Sequence, residues 1–206
     1  MSRRRKVASV AFTGAAALTA AGFTAGHAHA AGVSKVTVTP AGPYNAVHVG
    51  SPTLHDVQTR DTLTCTSAKA KGSLTGDATG NTVGTVTSAP FTNCTLLTIP
   101  FKAVLNKTAT LVATSPTTAS GITKGSLTGI SATITGTGAV ACHAVITGTL
   151  PGKYNNNTDQ LTIDSTNTAG LTVKSASGCA GGLVAGNSAY FNAVYSVSTS
   201  PTITAI

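Results

Sequence analysis

The chain has no glutamate and no tryptophan, and its single methionine is residue 1. Without glutamate, the paired carboxylates of a glycoside hydrolase would have to come from five aspartates: Asp56, Asp61, Asp77, Asp159 and Asp164. Asp159 belongs to a turn and Asp164 to an exposed strand position, so neither offers a catalytic pair. No Gly-x-Ser-x-Gly elbow is present to carry a nucleophile on a strand–turn–helix. Serines are so common that a Ser-His-Asp trio could be chosen anywhere, which deprives any such choice of meaning. No Cys-x-x-Cys motif occurs, which argues against redox and zinc chemistry. Asp77 with Gly80 and Asn81 supplies too few oxygen ligands for a calcium loop. Nowhere are basic and aromatic residues interleaved, so nucleic-acid binding is not expected. No catalytic residue, metal ligand or cofactor is assigned on these grounds.

Large side chains are scarce as well. Aromatic residues make up 4% of the chain, and charged ones 9%. Beyond residue 30 there are 35 threonines but few strong helix formers. Threonine and valine favour the pleated, half-buried surface of a sheet. No segment after Ala30 repeats at helical spacing for three turns. Period-two alternation recurs instead: Val36 and Val38; Ile130, Ala132 and Ile134; Ile146, Gly148 and Leu150; Phe191, Ala193, Tyr195 and Val197. About ten short strands, separated by Gly, Asn, Pro and Thr clusters, predict an all-β fold. The expected form is an antiparallel β-sandwich, or a partly closed barrel, with two disulfides. "GTLPGKYNNNTDQ" and "GDATGN" carry turn chemistry.

The first thirty residues have the pattern of a signal peptide. Arg3, Arg4, Arg5 and Lys6 form a basic start, an alanine-rich apolar run follows, and Ala28-His29-Ala30 supplies small residues for cleavage after Ala30. The residues around the twin arginines match a folded-export signal poorly, so general secretion is expected, without a permanent membrane span. Residues 31–206 then form a single β-sandwich domain. A split near "SPTTASGITKG" is the competing organisation. Nine of the thirteen basic residues and all five acids lie beyond residue 30, a net charge of +4 there. That is an ordinary solubilising charge, not a polyanion-binding one.

An exported chain with four cysteines should pair them. Of three connectivities, Cys65–Cys94 and Cys142–Cys179 are favoured, because hairpin return brings each pair within reach. Each pair would enclose a hairpin or short meander, a coarse internal echo. These staples offset the small apolar area that such a composition can bury. His143 beside Cys142 would point to the opposite strand face, which disfavours a shared metal ion.

"HDVQTRD" is the most polar cluster, with His55, Asp56, Arg60 and Asp61, and His48 upstream. It reads as a solvated loop or edge strand, since His55 and Asp56 are neighbours and would diverge. Thr-x-Thr pairs are assigned to the solvent face of the sheet. The mature aromatics are assigned to the core, with an apolar cleft between sheets as their functional alternative.

The stretches "GTVTSAPFTNC", "GSLTGISATITGTG", "GTLPGKYNNNTDQL" and "GLTVKSASGCAGGLVAGNSAYFNAVYSVSTSPTITAI" resemble a family of small secreted actinobacterial β-proteins of unassigned activity. More distantly, they are similar to the secreted alkane-oxidation activator-like proteins of Pseudomonas. The resemblance runs from about Leu63 to the end. It implies an extracellular or surface-associated β protein, with apolar substrates or biofilm material suggested by the distant relatives.

The expected function is a non-enzymatic structural or adhesive one at the cell surface or matrix, through strand faces and edges. Its partners would be cell wall, hydrophobic surfaces or further copies of the chain. The alternative is an extracellular carrier of a small hydrophobic ligand. A third possibility, an enzyme, would centre on His55, Asp56 and Asp61.

Overall fold

The computed structural model describes residues 32–206 except Asn167, and the expected signal peptide lies outside the described residues. Residues 31–206 make one compact unit, so the chain is not divided near residue 120. Fourteen strands are present: β1 (Lys35–Thr39), β2 (Gly42–Asp56), β3 (Thr62–Leu74), β4 (Asp77–Thr79), β5 (Thr82–Ser88), β6 (Phe91–Leu96), β7 (Ile99–Leu105), β8 (Ala109–Ala113), β9 (Ile122–Gly136), β10 (His143–Asn155), β11 (Gln160–Asp164), β12 (Leu171–Ser177), β13 (Ser188–Val197) and β14 (Thr202–Ala205).

The all-β antiparallel architecture is as expected, and it takes the form of a closed barrel rather than two stacked sheets. Five long strands, β2, β3, β9, β10 and β13, run its full height. Each of the other three wall positions is filled by two short strands, one above the other. In the upper half the circuit is β11–β10–β9–β8–β5–β3–β2–β13 and back to β11. In the lower half β12, β7 and β6 replace β11, β8 and β5, and the circuit closes again. Both circuits contain eight strands, and the wall between them has no unpaired edge among the described residues. Closure of this kind removes the edges that an open sheet must protect.

The disulfide pattern follows from this plan. β3 rises from Cys65, β5 returns beside its upper half, the chain jogs at Ala89-Pro90, and β6 continues beside the lower half to Cys94. β10 repeats the path with β11, a jog after Asp164, and β12. Cys65–Cys94 and Cys142–Cys179 are the bonds that form, the first joining directly opposed residues of β3 and β6. The internal echo is therefore architectural: each staple fastens the foot of a split hairpin.

The stretch "GTLPGKYNNNTDQ", read as turn chemistry, divides: its first part, Pro151 included, belongs to β10, as the alternation at Ile146, Gly148 and Leu150 anticipates. On one side β10 changes partner from β12, at 143–148, to β11, at 152–155. A residue with no N–H to donate is tolerated at that changeover. The turn itself is confined to 156–159.

Inward positions are apolar and outward ones carry Thr, Ser and Lys. Among the described residues, no helix is long and apolar enough to cross a membrane. The polarity of the wall is also the reverse of that of a lipid-embedded barrel, which is apolar outside.

A separate sheet, β14–β1–β4, covers the upper end. Its Val36, Val38, Ile203 and Ala205 are buried in one cluster with Tyr44, Leu74, Val83 and Tyr154 of the upper wall. Asn156 holds the outer side of β14, accepting from the Ile203 amide and donating to its carbonyl, each at 2.9 Å. The Ala205 amide donates to the Thr117 hydroxyl at 2.8 Å. That small sheet's edge is thus covered too. Backbones also approach closely near the cap: a Cβ at Gly72 would fall on the Thr85 carbonyl oxygen and press on the Tyr44 ring.

Candidate functional site: an apolar cavity between cap and plug

The lower end is closed by the ten-residue connection 178–187 between β12 and β13. Leu183 is buried in the lower core, and Gly182 lies against Leu96 at the end of β6. In the lower circuit β6 stands opposite the β12–β13 junction, so the connection crosses the mouth as a plug. Several tethers hold it. Cys179 is bonded to Cys142, the Thr59 hydroxyl donates to the Gly182 carbonyl at 3.3 Å, and Asn187 is held by Asp56.

Asp56 is the unexpected member of this set. The sequence places it in a solvated loop or edge strand; it is the last residue of β2, and it is 0% exposed. One carboxylate oxygen accepts from the amides of Gln58 and Thr59, each at 3.0 Å, and from the Asn187 side chain at 2.8 Å. The second oxygen accepts from the same Asn187 amide at 3.0 Å. A buried carboxylate so fully hydrogen-bonded organises the β2–β3 turn and fastens the plug to it.

The other polar candidates do not converge with it. His55 is on the outer face, with its ring 4.6 Å from that of Tyr190 and Nδ1 2.8 Å from the Thr62 hydroxyl. Asp61 is half-buried at the foot of β3. His48 faces the bulge where the β2–β3 ladder loses register. Its Nδ1 is 3.0 Å from the Ala68 amide nitrogen and 2.9 Å from the Ala68 carbonyl oxygen, so either tautomer replaces a lost ladder bond.

Asp77 pairs with Lys35 at 3.1 Å and accepts from the Thr37 hydroxyl, and these two donors hold its carboxyl below the usual range. The hydroxyl and amide of Thr166 do the same for Asp164. His143 is exposed while Cys142 is buried, as adjacent strand positions require. Among the described residues, no three His, Cys, Asp or Glu side chains lie close enough to share an ion.

Between cap and plug the barrel is hollow. A cavity of about 120 Å³ lies in its interior. A smaller void of about 60 Å³ lies nearer the cap, and the two share Tyr44, Leu111, Leu127, Leu161 and Ile163 in their linings. An eight-strand barrel is just wide enough for large inward side chains to fill, or to hold one small ligand if they do not. Here Ala46, Ala70, Ala103 and Ala132 occupy inward positions around the larger cavity. Their side chains are too short to meet across the axis. Leu105, Leu127 and Phe191 face inward yet remain only partly buried, as expected beside an unfilled space.

The aromatics divide accordingly. Tyr44, Phe91, Phe191 and Tyr195 line the larger cavity, and Phe91 meets Phe191 edge-on at 5.6 Å. Phe101 packs in the lower core, Tyr154 lines the upper void, and Tyr190 lies outside on His55. Burial pushes the Tyr44 phenol up to about 12. The Tyr154 phenol is also raised, by burial first and then by the Asp159 carboxylate to which it donates at 3.3 Å.

In comparisons with protein-family models, with curated proteins and with solved structures, no match to this chain is found. The described residues define a class: a capped and plugged eight-strand barrel with an apolar interior space.

Proposed function

We propose that the protein is a non-enzymatic carrier, exported from the cell, that holds a small apolar molecule inside the barrel. The cavity of about 120 Å³ carries this reading. It is comparable with the ~150 Å³ apolar voids known to stay dry and to take up benzene or xenon. Two disulfides fit an oxidising, extracellular setting. The likeness to the alkane-oxidation activator-like proteins, itself part of this proposal, points to the same apolar chemistry.

Benzene is the first probe. It should bind and raise the thermal midpoint, as any ligand selective for the folded state does. Ala132→Leu is the matching variant, since Ala132 lines the cavity between the inward Ile130 and Ile134. It should fold with unchanged or higher stability and lose benzene binding. In a filled interior the same change would instead cost about 1–3 kcal/mol. No midpoint shift with benzene on the native protein would overturn the carrier reading.

Adhesion keeps a narrower basis. Val47 and Val49 are each 49% exposed on the outer face of β2, with Lys69 of β3 directly opposite Val47. The closed wall leaves faces, not edges, as the adhesive surface.

A further inference from the structure

Three tyrosines are buried inside the barrel, and two of their hydroxyls are engaged. Tyr44 donates to the Thr85 carbonyl at 3.2 Å, and Tyr154 to Asp159. Tyr195, 5% exposed, makes no hydrogen bond to any described residue through its hydroxyl. Burial raises the pKa of its phenol. It is not walled in. Among the described residues, the one buried side-chain polar atom that is both inaccessible and unpartnered is the Thr199 hydroxyl. Tyr195 occupies an inward position of β13 and lines the larger cavity.

Buried polar groups are nearly always satisfied, and an unpaired one calls for a missing partner. We infer that the Tyr195 hydroxyl is the polar anchor of the binding site, and that the ligand is a neutral, compact apolar molecule carrying one acceptor oxygen. This rests on the carrier reading and narrows its ligand class. No charged side chain lines the larger cavity, so a carboxylate or ammonium would enter without a counter-charge. A single donor on an apolar wall suits a ketone, ether or alcohol oxygen attached to a ring or short chain. The phenol remains protonated, and so remains a donor, through the ordinary pH range.

Two probes of one shape separate the possibilities: cyclohexanone, and methylenecyclohexane, in which a CH₂ group replaces the oxygen. Affinities for both are measured on the native protein and on Tyr195→Phe. In the variant, the ratio of ketone to hydrocarbon affinity should fall about tenfold, the effect of one neutral hydrogen bond. The thermal midpoint of ligand-free Tyr195→Phe should be unchanged or higher, because no hydrogen bond within the described residues is lost. A lowered midpoint would place the partner within the protein and overturn the inference. An unchanged ratio, with both probes still binding, would also overturn it while the carrier reading stands. Failure of both probes on the native protein would remove the carrier reading and this inference together.

Discussion

Reduction of both disulfides is expected to lower the thermal midpoint by roughly 15–30 °C. The chain-entropy model assigns about 3.6 and 3.8 kcal/mol to cross-links spanning 29 and 37 residues. Natural domains have about 5–15 kcal/mol in total, so the pair represents a large fraction. For a chain of this size each kcal/mol moves the midpoint by about 2–4 °C. The two bonds should differ in local effect. Replacing Cys142 and Cys179 by alanine frees one tether of the plug, so amide exchange at 178–187 should accelerate. Replacing Cys65 and Cys94 should lower stability by a similar amount without singling out that segment. A reduced protein that melts where the oxidised one does would show that the interior needs no staples.

Asp56→Ala should cost on the order of 4 kcal/mol, which is roughly 8–16 °C in midpoint. A hydrogen bond to a charged group contributes about 1.5–3 kcal/mol, and a donor stranded in a buried site adds its own desolvation penalty. The substitution strands the Gln58 and Thr59 amides and the Asn187 side chain at once. Asp61→Ala, at a half-buried position, should change stability by no more than about 0.5 kcal/mol. Equal midpoints for the two variants, read by calorimetry, would contradict the role given to Asp56. Faster exchange around Leu183 in Asp56→Ala would trace the loss to the plug.

Much of this architecture is legible in the residues before any coordinates. The alternation at Ile130, Ala132 and Ile134 marks an inward face of β9, and Thr133 and Thr135 mark its outer one. Both disulfides follow from hairpin return. Closure is not legible, because it depends on β13 meeting β2, a pairing between residues more than a hundred positions apart. Nor can composition distinguish a thin core from a hollow one. Few large side chains predict either, and only the placing of Ala46, Ala70, Ala103 and Ala132 around one axis decides between them. Asp56 was misread for a related reason. A polar heptapeptide looks solvated until a connection over a hundred residues later folds across it. The free hydroxyl of Tyr195 has no sequence signal, since three buried tyrosines differ only in what lies within reach of their oxygens.

The hollow interior is tested most directly by a crystal structure of the protein under xenon pressure. A xenon peak is expected on the barrel axis, among Ile130, Leu150 and Phe191, with no ordered water in that space. An interior closed over by its own side chains, or occupied by a chain of hydrogen-bonded waters, would contradict it.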